Sequence, residues 1–189
     1  MNDIKELDPE NVSIFGDDTE RFLLKLWEEE QGMDSVKFAR LAPYFMRFSP
    51  RLEDGLAPQV LSCGQHTLTA QLVGPAVANQ PPDVINEALG DSYRRFASSI
   101  YHDATLNREP KYDQVYSIFS TAGRSYELLY TRLVLPVTNQ LGHTQTLLYA
   151  KDSHNQLIHR QPDPQDHHDD SRPTRDRSLS NRQQAVLST

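Results

Sequence analysis

The stretch from Lys111 to Ser153 constrains this chain most. Three runs, "KYDQVYSIFSTAG", "RSYELLYTRLVLPV" and "HTQTLLYAKDS", carry the period-two alternation of β-strands. Short turns at Ala122-Gly123-Arg124 and at "TNQLG" join them, and connections this short join antiparallel neighbours. Within these strands Tyr112, Tyr116 and Ile118 alternate with Val115, Ser117 and Phe119, while Tyr126, Leu128 and Tyr130 alternate with Leu129, Leu133 and Leu135. Both faces of the resulting sheet are therefore apolar, and both require cover.

The remaining sequence supplies that cover. "TERFLLKLWEEEQ" places Phe22, Leu23, Leu26 and Trp27 at helical spacing, with Asp17, Asp18 or Thr19 available as a cap and Gly32 as a stop. A second helical run, "DSVKFARLAPYFMRF", starts at Asp34 or Ser35 and is interrupted by Pro43. "SPRLEDG" reads as a turn. Val60 and Leu61 form a short strand, and "HTLTAQLVG" alternates Leu68, Ala70 and Leu72 with polar residues. This predicts a hairpin closed around Cys63 to His66 and ended by Gly74-Pro75. Pro81-Pro82 then breaks the helical material of residues 75 to 90, Asp83 caps a piece that Gly90 ends, and a longer helix runs from Asp91 with Tyr93, Phe96, Ala97, Ile100, Tyr101 and Ala104 on one side.

Strands at both ends of this order, with helices between them, indicate an α+β fold with an antiparallel sheet. The expected architecture is five strands, the early hairpin joined to the three late strands, with short helices crossing one face and an N-terminal helical extension. The space between that face and the broken helices is a natural small-molecule pocket, lined by Tyr93, Phe96, Ile100, Tyr116, Ile118 and Tyr130. The expected division is a flexible N-terminus at 1–18, the helical extension at 19–55, the sheet domain at 56–155 and a disordered tail at 156–189. From Gln161 onward only Leu179, Ala185, Val186 and Leu187 are apolar, too few to offset chain entropy.

This order resembles the PAS domain, a sensory and interaction module of signalling proteins. More narrowly, the chain is similar to a group of single-domain PAS-like proteins found largely in alphaproteobacteria. The likeness rests on a Trp-bearing N-terminal helix ("FLLKLWEEEQGM"), a leucine-proline element ("FARLAPYFMRFSP"), Leu72-Val73-Gly74 at the end of the second strand, and "RLVLPV" at Arg132 to Val137. It covers residues 19 to 152. It implies a non-enzymatic regulatory module that binds a small ligand, a protein partner or both. A homodimer is also implied, in which the apolar outer face is covered by the Trp27 helices within the chain or across copies. In haem-binding PAS sensors a histidine on the corresponding helix ligates iron, which makes His102 the candidate cofactor ligand and a redox or gas sensor the alternative function. No cofactor is otherwise specified.

Other chemistry is poorly supported by the sequence. A net charge of −7 and a pI near 5.4 argue against sequence-independent nucleic-acid binding. The lone Cys63 excludes an intramolecular disulfide and a multi-cysteine zinc site, and it lacks the helical motif of flavin-reactive cysteines. His167 and His168, beside Asp166, Asp169 and Asp170, read as a solvated acidic stretch rather than a metal site. "GDSYRRF" superficially matches an esterase block, but the partner Asp-x-x-His is missing. An enzyme of cone-shaped, steroid-isomerase-like fold would need a buried acid, for which Asp91, Asp103 and Glu127 are the candidates. No signal peptide or membrane span is visible, so a cytosolic location is expected.

Overall fold

The computed structural model describes residues 3–121, 124–153 and 158–160. The expected tail from Gln161 onward, with His167 and His168, lies outside the described residues.

The long alternating runs form the predicted strands. They are β4 (Lys111–Thr121), β5 (Arg124–Thr138) and β6 (Thr144–Asp152), and both pairings between them are antiparallel. The early hairpin is present but is displaced by one element. It consists of β2 (Met46–Phe48) and β3 (Val60–Cys63), and β2 pairs antiparallel with β6 through Met46 opposite Leu148. The run "HTLTAQLVG" is not a strand. Residues Leu68–Val73 form the helix α4, whose Thr67 hydroxyl accepts the Ala70 N–H at 3.2 Å as an N-cap. Leu72-Val73-Gly74 therefore closes a helix, with Gly74 at φ 111° where a side chain would be strained. The period-two pattern misled because six residues make fewer than two helical turns, too few to separate one periodicity from the other.

Two further strands raise the count above five. β1 (Asp3–Leu7), in the segment expected to be loose, pairs antiparallel with β4, and β7 (Ile158–Arg160) pairs with the first residues of β5. The order is β1-β4-β5-β6-β2-β3 in one antiparallel sheet, with β7 beside β5. At the β3 edge, the Asn86 side chain imitates a neighbouring strand. Its Oδ1 accepts the Val60 N–H at 2.9 Å and its Nδ2 donates to the Val60 carbonyl at 3.1 Å.

The outer face is covered within the chain. Helices α1 (Asn11–Phe15), α2 (Asp18–Glu29) and α3 (Val36–Arg40) lay Val12, Leu23, Leu26 and Phe38 on Tyr112, Leu133, Leu135, Val137 and Leu147. Each aliphatic side chain so buried contributes about 1.5–3 kcal/mol against leaving it in water. Asp17 caps α2 through a reciprocal pair: its carboxylate accepts the Glu20 N–H and the Glu20 carboxylate accepts the Asp17 N–H. The Trp27 indole donates to the Pro136 carbonyl at 2.6 Å, fixing α2 to β5. This in-chain cover removes the apolar-face argument for a second copy.

On the other face lie α4, α5 (Pro82–Phe96) and α6 (Ser98–Asn107). As the sequence indicates, α5 breaks at Gly90, whose φ of 70° and ψ of 156° belong to no helix. A second break at Ala97 divides the longer helix that was expected from Asp91. Ala97, Ile100, Tyr101 and Ala104 are buried against Met46, Phe48, Val134 and Leu148, as the apolar stripe requires. Arg94 ties α5 to the loop before β3, with Nε and Nη2 donating to the Ala57 carbonyl and Nη2 also to Glu53. The molecule is thus α+β, an open antiparallel sheet with short helices on both faces.

Candidate functional site

Strand parity decides what the C-terminal helices cover. Leu128, Tyr130, Arg132 and Val134 of β5 face α4–α6, and their cross-strand neighbours Ser117, Val115, Asp113 and Lys111 stand on the same side. Arg132 is fully buried there. Its Nε donates to Asp113 Oδ1 at 2.9 Å and its Nη2 to Asp113 Oδ2 at 2.5 Å, a forked charge pair within the sheet. Burial works against the guanidinium's charge, but Asp113 together with Tyr101 and Tyr130 outweighs it and holds Arg132 well above its ordinary pKa. Burial likewise pushes the Asp113 carboxyl up, against the opposing pull of Arg132.

Aromatic groups close around this pair. The Tyr101 ring of α6 lies 5.9 Å from the Arg132 guanidinium carbon and 4.6 Å from the Phe48 ring. The hydroxyls of Tyr93 and Tyr130 are 3.2 Å apart. Burial raises the pKa of Tyr101 and of Tyr130, so both hydroxyls keep their protons. Arg132 Nη1 and Tyr101 Oη are both buried in this corner without another partner among the described residues, and the tyrosine oxygen faces the guanidinium as an acceptor. Thr146 Oγ1 is a third such atom. Its strand neighbour Pro136 stands four residues along β5 from Arg132, so roughly 13 Å separates the two places.

The six pocket residues divide between the two faces. Tyr93, Phe96, Ile100 and Tyr130 meet beneath the helices. Tyr116 and Ile118 do not join them, because they stand opposite Leu129 and Glu127 on the N-terminal side of the sheet, where Tyr116 donates to Glu127 at 2.6 Å. A shift of one residue along a strand changes the face. Asp113, Tyr101 and Arg132 were missed as site residues. The signal was present: a charge of each sign, in phase with the inward apolar residues of two adjacent strands.

The other candidates lie elsewhere. His102 Nε2 donates to the Leu56 carbonyl at 2.8 Å. Cys63 is buried, with its sulfur 3.2 Å from the Thr67 hydroxyl, and burial pushes its thiol pKa up, away from nucleophilic character. Asp91 and Asp103 are exposed, and Glu127 stands on the opposite face from Arg132. Two surface clefts of about 380 Å³ each adjoin Thr19 and Tyr44. One is lined by Phe22, Leu23 and Leu41 and the other by His66, Gln71 and the end of β6. Among the described residues no cluster of His, Cys, Asp and Glu could hold a metal ion, and no helix is long and apolar enough to cross a membrane.

No family model, curated protein or solved structure matches this chain.

Proposed function

We propose that this chain is a non-enzymatic PAS-like sensory or regulatory module that binds a small ligand beneath α4–α6 and passes the state of that site to a protein partner. One observation carries the reading. The early hairpin β2–β3 joins β4–β6 in a single antiparallel sheet, and the helices between them in sequence cross one face. This is the arrangement that the PAS resemblance implies. The buried Arg132–Asp113 pair and the tyrosines around it support the same reading, because polar groups are held inside at a cost in desolvation where an apolar core would be cheaper to fold. The broken α5 supplies an element whose position a ligand can bias.

Native mass spectrometry of the purified chain, read beside a thermal-shift screen of metabolites, tests the proposal. The expected result is a retained or stabilising compound whose effect is lost on substitution of residues beneath α5 and α6. Compounds that act only at the Thr19–Tyr44 clefts would contradict it. A Soret band lost on His102→Ala would replace it with the haem-sensor alternative.

A further inference from the structure

We propose that the open edge of β6 beyond β2 binds an extended segment of a partner protein, which adds to the sheet as a strand in line with β2. The inference goes beyond the interior beneath α4–α6, because this edge takes its peptide whether or not that interior holds a ligand. β2 pairs with β6 only as far as Met46 opposite Leu148. One residue earlier, the Phe45 N–H turns back to the Ala42 carbonyl, and the chain leaves the sheet through the 3-10 turn Ala42–Tyr44. Residues 149–152 keep β5 on one side and have no strand on the other among the described residues, an edge roughly 13 Å long.

Strand parity fixes which backbone groups lie on that side, since residues bonded across an antiparallel pair alternate with residues whose groups point away. The Ser153 N–H donates to the Leu129 carbonyl at 2.8 Å, so in register Lys151 and Tyr149 bond to β5 while Ala150 and Asp152 turn outward. β5 agrees: the Thr138 N–H donates to the Gly32 carbonyl, so the residues of β5 opposite these outward ones turn away from β6. Ala150 therefore holds out one donor and one acceptor, neither with a partner among the described residues. Both open into the cleft of about 380 Å³ lined by Thr19, Tyr44, His66, Leu68, Gln71 and residues 149–152. A donor and an acceptor so spaced are the complement of an extended backbone.

The walls select the peptide. Ala150 stands opposite Arg132, so a residue bonded to Ala150 points its side chain to the α4 side. There Leu68 and the exposed Gln71 suit a small polar residue. The neighbouring peptide residues point to the α2 side, where the cleft of Phe22, Leu23 and Leu41 adjoins at Thr19 and Tyr44 and takes a large apolar side chain. Among the described lining residues Lys151 is the one cation, and Asp17 holds it at 2.9 Å, so a neutral or basic peptide is favoured over an acidic one.

The capped peptide acetyl-Lys-Thr-Leu-Thr-Leu-Thr-Lys-amide tests this beside two N-methylated forms. Methylating the threonine nitrogens removes the donors that meet β6, whereas methylating the leucine nitrogens removes donors that face away from it. Protein-observed NMR titration of the full chain is expected to show saturable shifts of the Ala150 amide, with half-saturation at about 1 mM or below. The leucine-methylated peptide is expected to bind as well, and the threonine-methylated one about tenfold or more weaker. Ala150→Pro removes a cleft-facing donor without touching a bond to β5 and is expected to weaken the peptide about tenfold; should that chain not fold, the methylated pair decides alone. No saturable shift at Ala150, equal binding of the two methylated peptides, or undiminished binding by a folded Ala150→Pro chain would overturn the proposal. So would concentration-dependent shifts of the Ala150 amide without peptide, which seat a second copy there, or its protection from exchange in the chain alone, which seats the chain's own residues there.

Discussion

Asp17 shows how much one side chain carries. Its carboxylate accepts the Glu20 N–H at 2.7 Å and meets the Lys151 ammonium at 2.9 Å, so one group caps α2 and ties that helix to β6. Burial alone would raise its pKa, but the Glu20 and Lys151 contacts outweigh burial and hold it below the ordinary value of 3.8. A carboxyl lowered in the folded state stabilises the fold above its unfolded pKa, and that contribution is lost as pH falls through the folded value. The stability difference between the natural chain and Asp17→Asn is therefore expected to be present at neutral pH and to shrink as pH falls below 3.8. Urea unfolding across pH measures this, and a difference that grows in acid would contradict the assignment. At the same scale, the Arg132–Asp113 pair is a commitment of the whole fold, since removing one partner leaves a buried charge uncompensated, at a cost of about 3–5 kcal/mol.

Among the elements, α5 is the one whose geometry depends on a single glycine. Gly90 adopts a φ and ψ that only glycine visits readily, and a Cβ built there meets no atom within 4 Å. Gly90→Ala is therefore expected to cost about 1–3 kcal/mol through backbone strain rather than a clash, measured as a fall in the unfolding free energy. A neutral result would mean that the Gly90 conformation carries no strain for a residue with a side chain. Long elements were legible in the sequence and short ones were not. β4, β5 and β6 declare themselves through sustained alternation, and the buried stripe of α6 follows from its spacing. Met46–Phe48 was hidden because three residues after Pro43 show no period, although Pro43 itself marks the end of the helical run. Leu68–Val73 was misread because its alternation was counted and the capping Thr67 was not. The candidate site was half legible. The apolar stripe of the expected helix, which the fold divides between α5 and α6, pointed to Tyr93, Phe96 and Ile100, but the charge pair depends on the register between β4 and β5, which no single strand reveals.

For the molecule as a whole, the sheet separates two interiors with different linings. The face under α1–α3 is lined by Leu133, Leu135, Val137 and Leu147 and is a packed apolar layer. The face under α4–α6 holds the buried Arg132, Asp113 and Tyr101. β1 and α1–α3 are thus part of the fold and not an attachment to it. A chain that starts at Pro43 is expected to expose that apolar layer and to self-associate or precipitate, seen by size-exclusion chromatography. A monodisperse monomer with an unchanged unfolding midpoint would contradict this.

The interior beneath α4–α6 is proposed as the part of the molecule that responds to a ligand. Amide hydrogen exchange of the full chain, with and without a saturating compound from the thermal-shift screen, measures this most directly. Slower exchange is predicted in residues 91–104 and in β5 around Leu128 to Arg132, with α2 and α3 unchanged. Slowing confined to the segments around Thr19, Tyr44 and His66, or no change anywhere, would contradict it.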